Sequence, residues 1–434
     1  MPTPLNTPAE PLPEVVADDA ALVEAAERLA AGTGPVAVDA ERAAGYRYGN
    51  AAYLVQLRRT GAGTVLVDPT GLTDTTPLAE ALDGPEWVLH AATQDLPCLA
   101  ELGLRPRKLF DTELGARLAG LPRVGLAAVV EHYLDLTLAK EHSAVDWSTR
   151  PLPTDWLLYA ALDVEVLVEL RAAMAEDLAR LGRGEWARQE FDHLLDFRPK
   201  DHGEDAWRRT SGSHRVRRPR QAAVLRELWQ VRDAMARERD VTPSKVVTDD
   251  VLVALATAPL VEPADMAPVA RFAVAAKNGG RRGQQRRSSG SAERRVQRAL
   301  ATLNGHRERW WEAVERGRAL PEEELPPARL PATGPPPAKA WADRDPEAAE
   351  RLTRAREELG RHAESLGVPL ENLLTPSVLR EVLWCPPQAT DEAVDAALAE
   401  RGARPWQRDA AVPVILRALA GPSGSDEDRT PEDA

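Results

Sequence analysis

Strand-forming patterns stop near residue 182 of this chain, which limits it to a mixed α/β unit followed by helices. Before that point strand and helix signals alternate. A helix is expected over residues 18–31, ended by Gly32, Gly34 and Pro35, with a strand carrying Asp39 next. Residues 53–57 and 64–67 are β-rich and flank Gly61-Ala62-Gly63, which predicts a hairpin and, with the preceding strand, an antiparallel meander. Residues 78–82 read as a short helix, 87–90 as a strand joining the sheet in parallel, 109–112 as a strand running into a helix, and 126–134 as a further helix. Thr154 is placed to cap one long helix ending near Gly182, with Leu157, Leu158, Ala161, Leu162 and Val166 on its apolar stripe. Beyond Gly182, residues 220–239 carry Val224, Leu225, Leu228, Val231 and Met235 on one helical face; residues 241–248 break the pattern and 249–256 resume it.

At 434 residues the chain has room for two to four domains. It is 43% hydrophobic and 28% charged, with no apolar run long enough to cross a bilayer. The first 14 residues hold prolines and acids where a signal peptide needs a basic flank, so a cytoplasmic protein is expected. Two distant cysteines, Cys98 and Cys385, fit a reducing compartment, exclude a thiolate zinc site and read as small buried apolar residues. The net charge of −13 is unevenly spread: acids crowd residues 10–27 and 425–428, arginines residues 208–220 and 281–298. Those basic stretches are either nucleic-acid contacts or solvated loops and helix faces.

Within the strand Val36-Ala37-Val38-Asp39-Ala40-Glu41, Asp39 and Glu41 share one face and repel each other. A divalent metal, a basic partner or solvation at the strand end offsets such repulsion, and these six residues alone favour solvation. Asp95 follows the strand ending at His90, where Thr93 is placed to cap a helix with Asp95 in its first turn; that cap geometry is an explanation in itself. Tyr159 and Asp163 are four residues apart and so share a helix face, as an ordinary polar pair also would. Residues 140–147 lack a period and mix charge with an aromatic, the mark of a working loop.

Asp-x-Glu on a strand, an Asp after a second strand and Tyr-x-x-x-Asp on a later helix, in that order, resemble the three motifs of the DEDD 3′–5′ exonucleases. Tyr159, four residues before Asp163, fits the DEDDy branch; the histidine branch places its histidine where this chain has Leu158. Leu57 with Leu66-Val67-Asp68-Pro69, His90 to Leu96, Phe110-Asp111-Thr112, Lys140 to Trp147 and Arg150-Pro151-Leu152 look like ribonuclease D, over roughly residues 15 to 180. Pro97 departs from that pattern, and an early helical turn tolerates it. Residues 217–303 resemble the HRDC domain that follows the nuclease in that family, with a flexible basic loop within residues 268–297. A proline-rich stretch at 320–337 reads as an extended linker. Beyond it Val241, Val246, Val247, Thr248 and Leu252 recur as Val368, Leu373, Leu374, Thr375 and Leu379, a degenerate repeat.

The resemblance implies an α/β ribonuclease H-like exonuclease domain, a mixed sheet flanked by helices, at residues 1–212, followed by two all-α HRDC-like bundles at 213–303 and 345–421. A linker over 304–344 and an acidic disordered tail over 422–434 complete the division. It also implies a 3′–5′ exoribonuclease using two divalent metal ions, Mg²⁺ or Mn²⁺, on RNA 3′ ends such as transfer RNA precursors, as a monomer without a membrane. Asp39 would bridge the metals, Glu41 and Asp163 would complete one site and Asp95 the other, while Tyr159 would orient water. Gln56, Lys140, His142 and Trp147 would contact the nucleic acid; Trp147 packed on the following helix and a solvated His142 are equally open. DNA as the substrate, or a non-catalytic role in nucleic-acid binding through the HRDC bundles, are the alternatives.

Overall fold

A computed structural model describes residues 2–138, 145–201, 203–279, 289–331 and 333–420. Among the described residues eight strands lie in the first part: β1 Thr3–Leu5, β2 Val15–Val16, β3 Thr33–Arg42, β4 Ala52–Thr60, β5 Gly63–Val67, β6 Trp87–Leu89, β7 Leu109–Asp111 and β8 Leu136–Leu138. Six form a mixed sheet in the order β2-β5-β4-β3-β6-β7, with β3, β4 and β5 as the antiparallel meander and β6 and β7 added in parallel. Gly61 and Gly63 adopt positive φ at the β4–β5 turn, which glycine reaches without strain. Two small pairings escaped the sequence analysis. Val15 and Val16 extend the sheet edge beside β5, and Thr3–Leu5 pairs with β8. Strands of two or three residues carry no period that sequence can show.

The helices of this unit are α1 Asp19–Ala31, α2 Thr76–Leu82, α3 Leu96–Glu101, α4 Thr112–Ala119, α5 Leu126–Leu134, α6 Thr154–Glu165, α7 Leu167–Arg180 and α8 Gly184–Leu195. Asp18 caps α1 by accepting from the Ala21 amide at 2.9 Å. The long helix expected from Thr154 is two helices divided at Val166, and its capping position is Pro153, with no side-chain cap. Val166 lies on the apolar stripe and is 4% exposed, so the apolar pattern runs through the break and hides it.

Further on come α9 Pro219–Glu238, α10 Pro243–Val246, α11 Asp249–Thr257, α12 Met266–Gly279, α13 Ser289–Gly305 and α14 Arg307–Ala319. The basic loop expected within 268–297 is helical up to Gly279 and again from Ser289; residues 280–288 lie outside the described residues, as does the tail from 421. Helix α14 falls in the stretch expected to be linker, yet it buries Trp310, Ala313 and Val314 against α9. A Cβ on Gly317 would meet the Val224 Cα at 2.6 Å, so glycine sets the close approach of these two helices. Trp207 joins the same core from residues before 213.

The last group is α15 Trp341–Arg344, α16 Pro346–Leu366, α17 Leu370–Leu373, α18 Pro376–Trp384, α19 Asp391–Glu400 and α20 Pro405–Ala420. Its buried residues, Leu352, Leu359, Leu383, Trp406 and Ile415 among them, form one continuous hydrophobic core with Ala37, Val88, Phe110 and Met174 of the α/β unit. Trp406 stacks on Trp186 at 4.8 Å and donates through Nε1 to Glu190 at 2.8 Å; Arg404 donates to the same Glu190 oxygen at 2.7 Å. Cys98 is buried as expected, whereas Cys385, just past the end of α18, is exposed.

Helices α9 to α14 keep a separate core and meet the α/β unit through the loop that follows β3. Tyr48 donates its hydroxyl to Asp233 at 3.0 Å, and Asp240 accepts from the Tyr48 amide at 3.2 Å and from Arg47 at 3.1 Å. Arg47 also donates to Ser148 at 2.8 Å. Glu190 is 5% exposed and neutralises Arg404, so Glu190→Ala strands a cation and leaves the Trp406 indole without its acceptor. Its expected effect is a loss of about 3–5 kcal/mol in chemical denaturation, reported by unfolding probes in both the α/β unit and the helices from 341 on.

Candidate active site

The carboxylates meet at the end of the central strand because three unrelated local features aim them there. Strand alternation turns Asp39 and Glu41 of β3 to the face covered by α6. The β3–β4 register slips between Glu41 and Arg42, and this irregularity re-aims the strand end. Arg42 thereby donates to the Gln94 carbonyl at 2.6 Å and lies 3.5 Å from Asp95.

Asp95 is positioned by a turn that Asp111 holds. Ala91 takes a left-handed conformation, φ 60°, directly after β6 and His90. The Asp111 carboxylate accepts from the amides of Ala91 at 3.1 Å and Ala92 at 2.8 Å, and also caps α4 through Glu113 and Leu114. Thr93 is exposed and caps nothing; Asp95 itself occupies the residue before α3 and makes no capping bond, leaving its 4%-exposed carboxylate for the cavity. On α6, Tyr159 and Asp163 are one turn apart and hydrogen-bonded through their side chains.

These groups line one cavity of ≈ 490 Å³ with Arg42, His90 and Gln94 on its polar side and Leu126, Ala127, Leu138 and Leu167 on its apolar side. Carboxylate oxygens of Asp39, Glu41 and Asp163 lie within 4.8 Å of one another. Burial, reinforced by the neighbouring acids, pushes Glu41 up to about 9; burial and Asp39 push Asp95 and Asp163 up to about 8. Burial also raises Asp39, and it raises Tyr159 well above the ordinary phenol range, so that hydroxyl keeps its proton. Hard oxygen donors converging at this spacing, with too little positive charge beside them, fit a divalent cation.

Of the remaining sequence candidates, the two that lie among the described residues, Gln56 and Trp147, do not line this cavity. Trp147 is 1% exposed and packs edge-on to Trp156 at 5.5 Å, in a cluster with Leu54, Leu66 and Ala160. It is a core residue under α6 rather than a base platform, because the indole buries more apolar area there than a loop leaves exposed. Gln56 sits opposite Asp39 in the β3–β4 ladder, is fully buried and is not among the residues that line the cavity. Lys140 and His142 lie outside the described residues. Arg42, His90 and Asp111 went unassigned in the sequence. Their signal was positional: a charged residue just past the Asp-x-Glu pair, and polar residues at the ends of two parallel strands.

A family model described as 3′-5′ exonuclease matches residues 13–179, one described as HRDC domain matches 221–272, and one described as 3′ to 5′ exonuclease C-terminal domain matches 334–419. Ribonuclease D of Acidiphilium cryptum is 33% identical over 347 residues, which is 76% of this chain and 79% of that protein. The chain belongs to the ribonuclease D family. Ribonuclease D of Nitrobacter hamburgensis is 37% identical over 166 residues, 38% of this chain, and that of Escherichia coli 35% over 204 residues, 45% of this chain. These alignments span about half of those relatives, 43% and 53% of their lengths. A crystal structure of a protein from Bifidobacterium adolescentis shares 38% identity at a TM-score of 0.82, covering 97% of this chain and 100% of that one. The crystal structure of Escherichia coli ribonuclease D matches the fold at a TM-score of 0.66, with 24% identity over 94% of this chain and 98% of that one. The shared architecture is a ribonuclease H-like exonuclease domain with a mixed sheet, joined to a helical HRDC domain. No helix among the described residues is long and apolar enough to cross a membrane.

A folded ribonuclease D site with raised carboxyl values holds protons that the unfolded chain has already released between about pH 4 and the folded values. Metal-free stability therefore falls as pH rises through that window. In EDTA the melting temperature is expected to drop from about pH 6 to about pH 9, and added Mn²⁺ to raise it more at the upper end than at the lower. A metal-free melting temperature that climbs with pH contradicts this electrostatic picture.

Proposed function

We propose that the chain is a metal-dependent 3′–5′ exoribonuclease that releases nucleoside 5′-monophosphates from RNA 3′ ends, with transfer RNA precursors and other structured RNAs as substrates. One observation carries the reading: four carboxylates and a tyrosine from three distant stretches of sequence line a single cavity. Asp39 would hold both of two Mg²⁺ or Mn²⁺ ions, Glu41 and Asp163 one of them, and Asp95 the other. Bound there, such ions lower the pKa of water and neutralise charge on a departing oxygen.

The chain's own residues supply orientation. Tyr159 stays protonated, so its hydroxyl donates and positions rather than abstracting a proton. Its bond to Asp163 fixes the ring against α6, and the apolar wall of Leu126, Ala127, Leu138 and Leu167 limits the water that enters. Arg42 places a cation at the rim beside Asp95, where a polyanion approaches.

The domain division that accompanies this reading puts the nuclease before residue 203, an HRDC bundle over 203–319 and a linker over 320–340. The helices from 341 are then a second HRDC-like bundle. Three pairs of helices support the duplication, for α9, α10 and α11 begin at Pro219, Pro243 and Asp249, and α16, α17 and α18 begin at Pro346, Leu370 and Pro376, each pair 127 residues apart. The buried pairs Val246/Leu373 and Leu252/Leu379 repeat in that register. We place the protein in the cytoplasm as a monomer, its two free cysteines being in keeping with a reducing compartment.

Incubating 5′-labelled RNA and DNA of one sequence with protein and Mn²⁺ or Mg²⁺ tests the reading. RNA is expected to shorten one nucleotide at a time, with EDTA stopping the reaction and Asp39→Ala slowing it by about three orders of magnitude. Shortening that survives both controls removes the metal assignment, and faster loss of DNA reverses the substrate. In the same assay Tyr159→Phe is expected to lower kcat about 10²-fold with KM nearly unchanged, since only orientation is lost.

A further inference from the structure

His90 lines the catalytic cavity, yet the proposed chemistry gives it no task. Its protonation pattern follows from two neighbouring hydrogen bonds. The Thr112 hydroxyl has one proton and lies 3.1 Å from the Leu89 carbonyl, which can only accept. With that proton directed at the carbonyl, the same oxygen accepts from His90 Nδ1 at 2.9 Å. The imidazole is therefore the Nδ1–H tautomer, and Nε2 carries a lone pair. Burial lowers its pKa to about 4, which keeps the ring neutral at working pH. Nε2 has no hydrogen-bond partner among the described residues.

A fixed, neutral acceptor in this position selects among the groups an RNA strand brings. Phosphate oxygens carry no proton at neutral pH and repel the lone pair. Base N–H groups differ from one nucleotide to the next, whereas an exonuclease that walks along a strand meets the ribose at every step. A carboxylate neighbour accepts as well, but those that converge here are the metal candidates Asp39, Glu41 and Asp163, a cluster that does not include His90. The ribose 2′-hydroxyl is the donor that recurs at each nucleotide and that DNA lacks.

We propose that His90 is a specificity-determining residue whose Nε2 accepts a hydrogen bond from a ribose 2′-hydroxyl of the strand in the cavity, and that Thr112 is the positioning residue that fixes its tautomer. The inference rests on the exoribonuclease reading above and adds to it the atom that tells RNA from DNA.

The test uses full-length protein and RNA oligonucleotides identical except for one 2′-deoxy or 2′-O-methyl sugar, at the last or the second-last nucleotide. The quantity read is kcat/KM for the all-ribose strand divided by that for the substituted strand. For the unaltered protein this ratio is expected to be about three- to tenfold with the 2′-deoxy sugar at one of the two positions, the size of one neutral hydrogen bond. His90→Ala is expected to bring it to about one, and His90→Gln, which returns an acceptor near Nε2, to restore part of it. Thr112→Val keeps the side-chain shape but frees the tautomer, and is expected to lower the ratio too. Because each ratio is taken within one preparation, partial unfolding reduces both rates and leaves it unmoved. An unchanged ratio in His90→Ala or in Thr112→Val overturns the proposal. So does an unaltered protein that ignores the 2′ group at both positions while still shortening RNA. Inactivity of the unaltered protein on every strand instead removes the exoribonuclease reading itself.

Discussion

Repulsion among four carboxylates at one end of a strand is the interaction the rest of this structure has to contain. Burial opposes ionisation of Asp39, Glu41, Asp95 and Asp163, and neighbouring acids add to it at Glu41, Asp95 and Asp163. Such an arrangement relaxes if the backbone is free to move, so every element around it is over-determined. Strand β3 is clamped between β4 and β6, the Asp95 turn is pinned by the buried Asp111, and α6 lies on a cluster of Leu54, Leu66 and Trp147. Folding stability drawn from these contacts is held against the site's own electrostatic strain, which is the usual relation between an active site and its scaffold.

Much of this was legible in the sequence because it has a period. Alternation along residues 36–41 put Asp39 and Glu41 on one face, a four-residue spacing put Tyr159 and Asp163 on another, and glycines at 61 and 63 marked the hairpin. What escaped lacks a local signature. Trp147 reads as a loop aromatic until α6 is seen lying over it, and Gln56 reads as a polar contact until the sheet closes around it. The break at Val166 is invisible because the apolar stripe passes straight through. His90 and Asp111 gain meaning only once two parallel strands set their ends side by side.

The two helical modules stand in different relations to the nuclease. Helices α9 to α14 have their own core and touch the nuclease through the loop after β3, where Tyr48 and Arg47 meet Asp233 and Asp240. These are part-exposed hydrogen bonds, the kind that open and close without unfolding either side. Asp240, at φ 47°, holds a left-handed conformation there that a non-glycine residue adopts only under constraint. The final helices are different, since Trp406, Leu383 and Ile415 belong to the same core as Phe110 and Met174.

That shared core has a consequence for how the protein comes into being. Synthesis proceeds from the N-terminus, so the strand bearing Asp39 and the helix bearing Asp163 leave the ribosome long before the helix that includes Ile415. Until that helix arrives, one wall of the nuclease core is open to water, and the four mutually repelling acids have only a partial scaffold to restrain them. A centre whose residues lie in the first half of the sequence thus depends for its support on helices made well after it.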